Sequence, residues 1–320
     1  MNPETRAPAI WLLTDNKPGH KNQLKGLGNR LRVLTGASIH WVNATDYSVP
    51  LWRAFLGAAP TMDTSLPAPA LIIAAGSGTH RLLLALRRVR NARLVVLMKP
   101  SFPLVWVDTA IIPAHDNTKP SRKTLITEGV INAITPMAQL TTKPEALILA
   151  GGPSPHFDWD DNAVFSQITD LIARYPEWRW TISDSRRTPA PLTTKLDELQ
   201  GPKVTFVHHK HTHDSWLNHQ LAGSRAVWVT PDSASMVCEA ATSGVPTGLL
   251  SLPARGHSRV AKGVGRLAEQ GWVSFWQNRD QVMNEHPERH ARLWEADRAA
   301  RWLINRFANL PQSTNKESLN

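Results

Sequence analysis

Short apolar runs alternate with amphipathic helical patterns along almost the whole chain. Each run has the length of a single strand, and most are followed by a segment with the apolar spacing of a helix. This alternation is typical of β-α-β units, whose strands lie parallel in one sheet with helices on both faces. A chain of 320 residues is long enough for about two domains. We therefore predict an α/β protein with two doubly wound parallel sheets.

The predicted strands fall into two groups, separated by residues 135–144, where Thr, Pro and Lys collect. The first group is 9–14, 38–42, 70–75, 94–98 and 109–113, and the second is 146–150, 179–183, 204–208, 226–229, 246–250 and 273–276. The predicted helices are 22–34, 80–88, 161–174, 215–222, 233–243, 259–269 and 290–308. This pattern places an N-terminal domain at 1–140 and a C-terminal domain at 141–310, with a terminal helix free to pack back on the first domain. We expect a disordered tail at 311–320.

Composition excludes several classes of protein. A hydrophobic content of 42% and a charged content of 19% are typical of a chain that forms a core. The single cysteine, Cys238, excludes an intramolecular disulfide, and its apolar surroundings predict a buried, unreactive thiol in a reducing compartment. No apolar run approaches the length of a membrane span, and the first residues lack the core of a signal peptide, so we expect a cytoplasmic protein.

The formal net charge of +10 is concentrated in the first half of the chain. Residues 1–140 contain 16 Lys and Arg against 7 Asp and Glu, whereas the rest contains 20 against 19. This asymmetry predicts a polyanionic partner for the first domain: a nucleic acid, an anionic membrane surface or a phosphorylated acceptor. Trp52, Phe55 and Leu56 have arginines near them in the sequence and could enter a membrane interface, or the aromatic residues could pack in the core.

The segment from Pro231 to Ala241 joins a predicted buried strand to a helix through a turn of small polar residues. Free N–H groups at the start of the helix, together with the hydroxyls of Ser233 and Ser235, suit a phosphate group. Glu239 lies one turn further along the same helical face, where a carboxylate can bind the ribose of the same ligand. An ordinary helix cap followed by a surface glutamate is the alternative interpretation.

Two more loops that follow predicted strands of the second domain have anion-binding chemistry. Gly151 and Gly152, followed by Ser154, allow the backbone to approach a phosphate closely. Arg186 and Arg187 can clamp a diphosphate, although adjacent arginines also occur in solvated turns. Because loops at the carboxyl ends of parallel strands meet at one edge of a sheet, the three loops together predict a site for a nucleotide diphosphate.

The loop after the first predicted strand contains Asp15 and His20, which we predict to be catalytic. A histidine at the mouth of a helix can act as a general base, and a helix cap or a buried core histidine is the alternative. Polar residues on this loop and after the strand at 109–113 are candidates for acceptor binding: Lys17, Asn22, Gln23, His115 and Asp116.

The histidine-rich segment 208–213 does not match a strong metal-binding spacing, so we expect a polar loop and no functional metal site. The chain also lacks a Gly-x-Gly-x-x-Gly pattern after its first predicted strand and a Gly-Lys-Ser/Thr motif after any strand. A Rossmann dehydrogenase or a P-loop NTPase is therefore not expected.

Several of these segments together resemble the mitochondrial fission ("elongated mitochondria") family, whose bacterial members are described as glycosyltransferases related to a lipooligosaccharide outer-core glycosyltransferase. The matching motifs are Thr14-Asp15-x-Lys17-x-Gly19-His20-x-Asn22-Gln23, Ile112-Pro113-x-His115-Asp116, Gly151-Gly152-Pro153-Ser154-x-His156-Phe157, Ser185-Arg186-Arg187-Thr188-Pro189 and Asp232-Ser233-x-Ser235-Met236-Val237-x-Glu239-Ala240. The resemblance implies a GT-B fold, with two Rossmann-like domains facing a central cleft and the nucleotide sugar held mainly by the second.

The chain is also similar, more distantly, to the lipid-linked glycosyltransferase that makes the peptidoglycan precursor. By that analogy His20 is the base and Glu239 the ribose ligand. Two segments depart from the usual pattern: the 208–213 loop replaces an Asn-Pro-rich loop, and Met98-Lys99-Pro100-Ser101 replaces a Met-x-Pro-Arg form. We expect donor or acceptor preference to differ accordingly.

The resemblance implies a glycosyltransferase that needs neither a metal nor a cofactor and moves a sugar from a nucleotide donor to a lipopolysaccharide or lipooligosaccharide core acceptor. Its expected place is the inner face of the cytoplasmic membrane, with a lipid-linked or phosphorylated oligosaccharide acceptor and an anionic membrane surface as partners, and no nucleic acid. One alternative is a sugar-nucleotide 2-epimerase of the same fold, with Asp15 and Asp116 as cleft carboxylates. The other is a non-catalytic membrane-associated adaptor, which would not need phosphate-binding residues.

Overall fold

The computed structural model describes residues 7–284 and 293–307 of the chain. Of the described residues, those up to Ala133 and those from Glu295 onward form one compact unit, and those from Ile134 to Trp294 form the second. Each unit is built on one sheet in which all neighbouring strands are parallel. The predicted α/β class is therefore confirmed in both halves of the chain.

The elements follow one another in the alternating order that the sequence predicts. The first unit contains β1 (Ala9–Thr14), α1 (Pro18–Thr35), β2 (Ser38–Asn43), α2 (Leu51–Leu56), β3 (Pro69–Ala75), α3 (His80–Ala85), β4 (Arg93–Leu97), β5 (Thr109–Pro113) and β6 (Thr124–Thr127). The second contains β7 (Glu145–Leu149), α4 (Asp161–Arg174), β8 (Arg179–Ser183), α5 (Ala190–Asp197), β9 (Val204–Val207), α6 (Trp216–Gly223), β10 (Ala226–Val229), α7 (Ala234–Ser243), β11 (Thr247–Leu249), α8 (Arg259–Glu269) and α9 (Arg279–Asn284). Helix α10 (Glu295–Arg306) returns to the first unit.

The first sheet has the strand order β2-β1-β3-β4-β5-β6. Every residue of β1 is buried, as is expected of a parallel strand covered by helices on both faces. The order of the strands reverses direction at β1, so the connections that leave β1 and β3 diverge at the carboxyl edge of the sheet. Such a switch point is where doubly wound proteins bind ligands.

The second sheet has the order β11-β10-β7-β8-β9, and its switch point lies between β7 and β10. Trp228 of β10 and Trp180 of β8 are among its largest fully buried side chains. Gly248 of β11 makes room for the indole of Trp228, since a Cβ there would lie 2.4 Å from Cζ3 of the ring. The core of this unit is thus packed around large tryptophan side chains.

The division between the units differs from the predicted boundary at residues 140 and 141. The first unit ends at Ala133, because the following segment pairs with the second unit: the N–H of Met137 donates to the carbonyl of Ser243 at 2.9 Å. Helix α10 packs on α1, where Nε of Arg30 lies 2.5 Å from Oδ1 of Asp297. The predicted disordered tail, 311–320, lies outside the described residues.

Sequence patterns missed four elements, β6, α2, α5 and α9, and predicted one strand too many. Residues 273–276 form no strand and contribute only a single bridge from Ser274 to Gly248. Cys238 is buried, as predicted. Among the described residues, no helix combines the length and the apolar character that a membrane crossing requires.

Candidate functional site

A histidine and a carboxylate meet at the switch point of the first sheet. Asp15 directly follows β1, and His20 lies in the first turn of α1, which begins at Pro18. Nδ1 of His20 lies 2.9 Å from Oδ1 and 3.1 Å from Oδ2 of Asp15. The side chain of Asp15 is only 5% exposed, whereas that of His20 is 22% exposed. The pair is therefore a buried carboxylate that orients a partly accessible imidazole.

The charge of Asp15 is stabilised where it lies. Burial raises the pKa of this carboxyl group, but the hydrogen bond to His20 and the backbone N–H of Lys17, with the positive charges of the same two residues, outweigh it. The net result is a pKa below the ordinary value of 3.8. Because an ionised carboxylate can only accept hydrogen bonds, Nδ1 of His20 must donate, which leaves the Nε2 lone pair free to take a proton.

Two glycines after β3 make the space for this pair. A Cβ at Gly76 would lie 2.1 Å from Nδ1 of His20, and one at Gly78 would lie 2.9 Å from Cβ of Asp15. Gly76 also has a φ of 89°, in the region that favours glycine. The β3 loop therefore packs against the His20–Asp15 pair with its bare backbone.

His80 is a residue near this site that sequence reasoning missed, because it reads only as the start of a helix. It is 9% exposed, and its Nδ1 lies 3.0 Å from Oγ of Ser101, in the loop after β4. Burial lowers the pKa of His80; the charge of Asp15 raises it and that of His20 lowers it, with a net pKa below 6.5. The site thus contains a second, neutral imidazole.

The predicted acceptor-binding residues have different environments. Lys17 is exposed, with Nζ 4.0 Å from Oδ2 of Asp15. Asn22, His115 and Asp116 are partly exposed and engaged in interactions of their own. Gln23 is buried, and its amide donates to Sδ of Met98 at 3.4 Å, so it contacts the residue that directly follows β4.

The switch point of the second sheet is organised by Asp232, to which sequence analysis gave no role of its own. Its side chain is fully buried. Oδ2 accepts the N–H of Gly152 at 3.2 Å and Nη2 of Arg187 at 2.6 Å. Oδ1 packs against Gly151, where a Cβ would lie 2.3 Å away. One carboxylate therefore ties together the loops after β7, β8 and β10.

Arg187 therefore has a structural role that does not depend on a phosphate ligand. Its Nη1 also donates to the carbonyls of Gly152 and Pro153, both at 3.2 Å. Its neighbour Arg186 is also exposed, and no ion pair or hydrogen bond of its side chain with another described residue is seen. The prediction that both arginines clamp a diphosphate stays a prediction, with Arg186 the more available of the two.

The other predicted donor-binding residues lie at the same edge of the second sheet. Ser233 caps α7 by accepting the N–H of Met236 at 3.4 Å, so Ser235 lies in the first turn and Glu239 one turn later. Glu239 is partly exposed and engaged in an interaction. Ser154 accepts the N–H of His156 at 3.2 Å. These residues can offer donors to a phosphate and a carboxylate to a ribose.

The histidine-rich loop is anchored by a second buried carboxylate, Asp184, which follows β8. Oδ1 of Asp184 accepts the backbone N–H of His209 at 2.6 Å and its ring Nδ1 at 3.0 Å, and Oδ2 lies 3.5 Å from Nε2 of His208. Ligand atoms of these three residues lie within 4.8 Å of one another. However, Nδ1 of His208 accepts the N–H of Lys210, which leaves the proton on Nε2. Asp184 thus holds the loop through His209 and lies within ion-pair distance of His208. The expectation of no functional metal site stays a prediction.

An apolar patch covers part of the surface of the first unit. Its members are the most exposed large apolar side chains of α2 and of the β4–β5 connection: Leu51, Trp52, Phe55, Leu56 and Val105. Arg87 fixes α2 in place by donating from Nη1 to the carbonyl of Ala54 at 3.3 Å, and its guanidinium stacks over Trp106. Helix α2 is thus anchored by Arg87 while its apolar side chains are exposed to solvent.

Comparison with known sequences gives one family. The family model described as Mitochondrial fission ELM1 matches residues 18–307. Uncharacterized protein RP120 of Rickettsia prowazekii (strain Madrid E) is 23% identical, with 74% of this chain and 81% of that protein covered. The resemblance that the sequence motifs predict is therefore confirmed.

Solved structures resemble this fold over most of the chain. The UDP-GlcNAc 2-epimerase of Neisseria meningitidis, bound to UDP-GlcNAc, has a TM-score of 0.55 at 11% identity over 93% of this chain and 98% of that one. Staphylococcus aureus MnaA with UDP gives 0.54 at 14% identity, covering 97% and 99%. Acinetobacter baumannii MurG gives 0.51 at 14% identity, covering 94% and 99%. At these identities the similarity concerns the fold alone, and it confirms the GT-B fold.

Proposed function

The chain belongs to the Mitochondrial fission ELM1 family, and on that premise we propose that it is a glycosyltransferase that moves a sugar from a nucleotide-diphosphate donor to an acceptor hydroxyl. The observation that carries the proposal is the contact between His20 and Asp15 at the switch point of the first sheet. A buried carboxylate behind a partly accessible imidazole is the arrangement of a general base.

In the proposed reaction, Nε2 of His20 takes the proton of the acceptor hydroxyl. The acceptor oxygen forms a bond to the anomeric carbon of the donor sugar, while the bond from that carbon to the diphosphate breaks and the diphosphate leaves with the electron pair. Asp15, ionised because its pKa lies below its ordinary value, stabilises the imidazolium that forms. Such a base typically contributes about 10²–10⁴-fold to the rate.

The second unit is proposed to hold the donor. Arg186, the hydroxyl of Ser235 and the first N–H groups of α7 are donors that suit the charge of a leaving diphosphate. Glu239 accepts hydrogen bonds from the ribose in this scheme. Support for a nucleotide sugar comes from the Neisseria meningitidis structure, which has UDP-GlcNAc bound to the same fold.

We propose a lipopolysaccharide or lipooligosaccharide core acceptor, met at the inner face of the cytoplasmic membrane. The excess of basic residues in 1–140 suits an anionic surface or a phosphorylated acceptor. The apolar patch on α2 supports peripheral attachment, because its side chains lie outside the core and have Arg53 beside them, whose guanidinium is 5.3 Å from the ring centroid of Trp52.

A screen of nucleotide sugars followed by mass spectrometry tests the reaction. The wild-type protein is incubated with each donor, with and without extracted lipooligosaccharide core, and products are identified by mass and by chromatography against epimeric standards. We expect transfer to the acceptor. Epimerisation of the free donor would assign the alternative 2-epimerase activity, and no turnover of any donor would favour the adaptor interpretation.

The same assay tests the base. His20→Ala should lower turnover by about 10²–10⁴-fold while the affinity for UDP is retained. His40→Ala is the matched control, since His40 lies in the same unit on β2 and its Nε2 lies 3.0 Å from Oγ of the neighbouring Ser38. Unchanged turnover in His20→Ala, or a loss of UDP binding, would contradict the assignment of His20 as the base.

A further inference from the structure

A cavity of about 300 Å³ lies in the first unit at the carboxyl end of β2. It is bounded by the segment that leads into α2 and by the first turn of α3, and its lining includes Tyr47, Ser48, Val49, Pro50, Gly78 and Arg81. The volume is at the lower end of small-molecule sites, which start at roughly 300 Å³. It therefore suits one sugar unit and not an oligosaccharide.

The polar side chains of this cavity are donors of hydrogen bonds. Arg81 has a guanidinium, and Tyr47 and Ser48 have hydroxyls, whereas the described residues that line the cavity include no carboxylate. A guanidinium with hydroxyls beside it is complementary to a group that only accepts hydrogen bonds, such as a phosphate.

The side chain of Arg81 has no structural role that the described contacts show. It is exposed and forms no ion pair with any described residue. Its neighbour Arg87, by contrast, donates to the carbonyls of Ala54 and Phe55 and so fixes the end of α2. The two arginines project from consecutive turns of one segment, and only Arg81 faces the cavity.

The cavity shares a wall with the His20–Asp15 pair. Gly78 lines the cavity, and a Cβ on Gly78 would lie 2.9 Å from Cβ and 3.2 Å from Oδ2 of Asp15. Gly78 has no side chain, so only one backbone segment separates a ligand in the cavity from the His20–Asp15 pair.

We propose that this cavity is the acceptor subsite and that it takes a phosphorylated sugar, with the phosphate bound by Arg81 and the reacting hydroxyl directed to His20. The inference rests on the proposed glycosyltransferase function and names the chemistry of its acceptor. The sugar phosphate occupies the cavity, and the apolar patch, which starts directly after Pro50 at the cavity wall, accommodates any attached lipid.

Calorimetry with glucose 6-phosphate tests the subsite. The titration is done with saturating UDP, so that phosphate sites of the second unit are filled, and is repeated with glucose. We expect glucose 6-phosphate to bind more tightly than glucose, and Arg81→Gln to weaken its binding by about tenfold or more, since hydrogen bonds to charged groups contribute strongly. Arg90→Gln, which removes an exposed arginine outside the cavity, should leave the affinity unchanged.

Equal affinities of the wild type and Arg81→Gln, or no binding of glucose 6-phosphate to the wild type, would overturn the proposal. Tyr47→Phe gives a second test that keeps the fold, with a smaller loss expected. Flotation with phosphatidylglycerol vesicles tests whether Arg81 binds a lipid phosphate instead. If Arg81→Gln no longer floats with the vesicles but binds glucose 6-phosphate as tightly as the wild type, Arg81 is a lipid contact and the subsite is wrong.

The subsite and the proposed function fail separately. If the donor screen shows transfer but glucose 6-phosphate binding does not depend on Arg81, the glycosyltransferase function is supported and the subsite is rejected. Arg81-dependent binding of glucose 6-phosphate without transfer of any donor would keep the subsite and reject the reaction.

Discussion

Nη2 of Arg187 lies 2.6 Å from Oδ2 of Asp232, a carboxylate whose side chain is fully buried. Arg187 comes from the loop after β8 and Asp232 from the loop after β10, so the pair connects two strands that are not neighbours in the sheet. A buried carboxylate is costly unless it is paired, and Arg187 supplies the pairing charge. The arginine that sequence reasoning assigned to a ligand therefore supports the loops that carry the proposed donor site.

Substitution of the two adjacent arginines should have different effects, one on the stability of the fold and the other on UDP binding. Arg187→Ala leaves Asp232 with a buried, uncompensated charge, and we expect the free energy of unfolding to fall by about 1–3 kcal/mol. Arg186→Ala should leave it within about 0.5 kcal/mol, as is usual for an exposed side chain, yet weaken UDP binding. Chemical denaturation and calorimetry measure the two effects.

A second substitution controls for the cause. Adding Asp232→Asn to Arg187→Ala removes the unpaired charge and should restore part of the lost stability. If Arg187→Ala is as stable as the wild type, the pair with Asp232 has no structural role, and Arg187 returns to its predicted place as a phosphate ligand.

Two glycines with positive φ should differ in their effect on turnover. Gly36 has φ 70° and ψ 10°, in the left-handed helical region, where alanine costs about 1–2 kcal/mol. Gly76 has φ 89° and ψ 150°, a conformation that alanine adopts less readily, so its backbone cost is larger. Only a Cβ at Gly76 collides with His20, because nothing lies within 4 Å of the corresponding position at Gly36. We expect Gly76→Ala alone to lower turnover in the transfer assay, by about tenfold or more. Equal turnover in both variants would show that the His20–Asp15 geometry does not matter.

The loops that follow the strands could be predicted from sequence, because apolar runs and turn-forming residues are both local features of the chain. Asp15 and the paired glycines, Gly151 and Gly152, lie directly after strands, as predicted. Strand β6 was missed because it is a four-residue edge strand that follows a polar segment. Helix α2 was missed because its apolar residues are exposed, which inverts the usual pattern.

Partners that are distant in the chain could not be predicted. Whether Arg187 binds a ligand or a carboxylate depends on Asp232, which is 45 positions away. Gln23 lies in a motif that suggests a ligand contact, yet its amide meets Sδ of Met98, 75 positions away. Met98 itself has a φ of 67°, a strained conformation that no local pattern indicates.

The buried His80 should make the first unit sensitive to mild acid. Its pKa in the folded protein lies below 6.5, so the unfolded chain binds the proton more readily and stability falls as the pH decreases through that value. The depressed pKa of Asp15 acts in the same direction, but only in the more acidic range near 3.8. Denaturation at about pH 7.5 and about pH 5.5 should show a smaller loss in His80→Gln than in the wild type. An equal loss in both would assign the dependence to other groups.

Glu239 should determine nucleotide affinity without affecting the fold. Removing its carboxylate in Glu239→Ala deletes the proposed hydrogen bonds to ribose, with an expected cost of about 1.5–3 kcal/mol in binding. Calorimetry with UDP, GDP and CMP measures the loss, and an unchanged melting temperature checks the fold. If all three nucleotides bind as tightly as to the wild type, the ribose contact lies elsewhere.

Attachment to membranes should depend on the apolar patch of α2. Trp52 is 56% exposed and Phe55 64% exposed, on a helix that Arg87 holds in place, so insertion needs no rearrangement of the unit. The neighbouring arginines add attraction of about 1 kcal/mol each near an anionic surface. We therefore expect flotation with phosphatidylglycerol vesicles, weaker flotation with zwitterionic vesicles, and release by salt.

Trp52→Ala should reduce flotation by about tenfold, since a large apolar side chain near the interface contributes roughly 1.5–3 kcal/mol when fully buried and less when partly so. Trp41→Ala is the matched control, because Trp41 is 41% exposed but lies on β2, apart from the patch. A comparable reduction in both variants would mean that tryptophans bind lipid wherever they are exposed. Flotation that does not depend on salt, or no flotation, would contradict attachment to an anionic membrane. The basic first unit would then bind a phosphorylated acceptor in solution, and a partner other than lipid would cover α2.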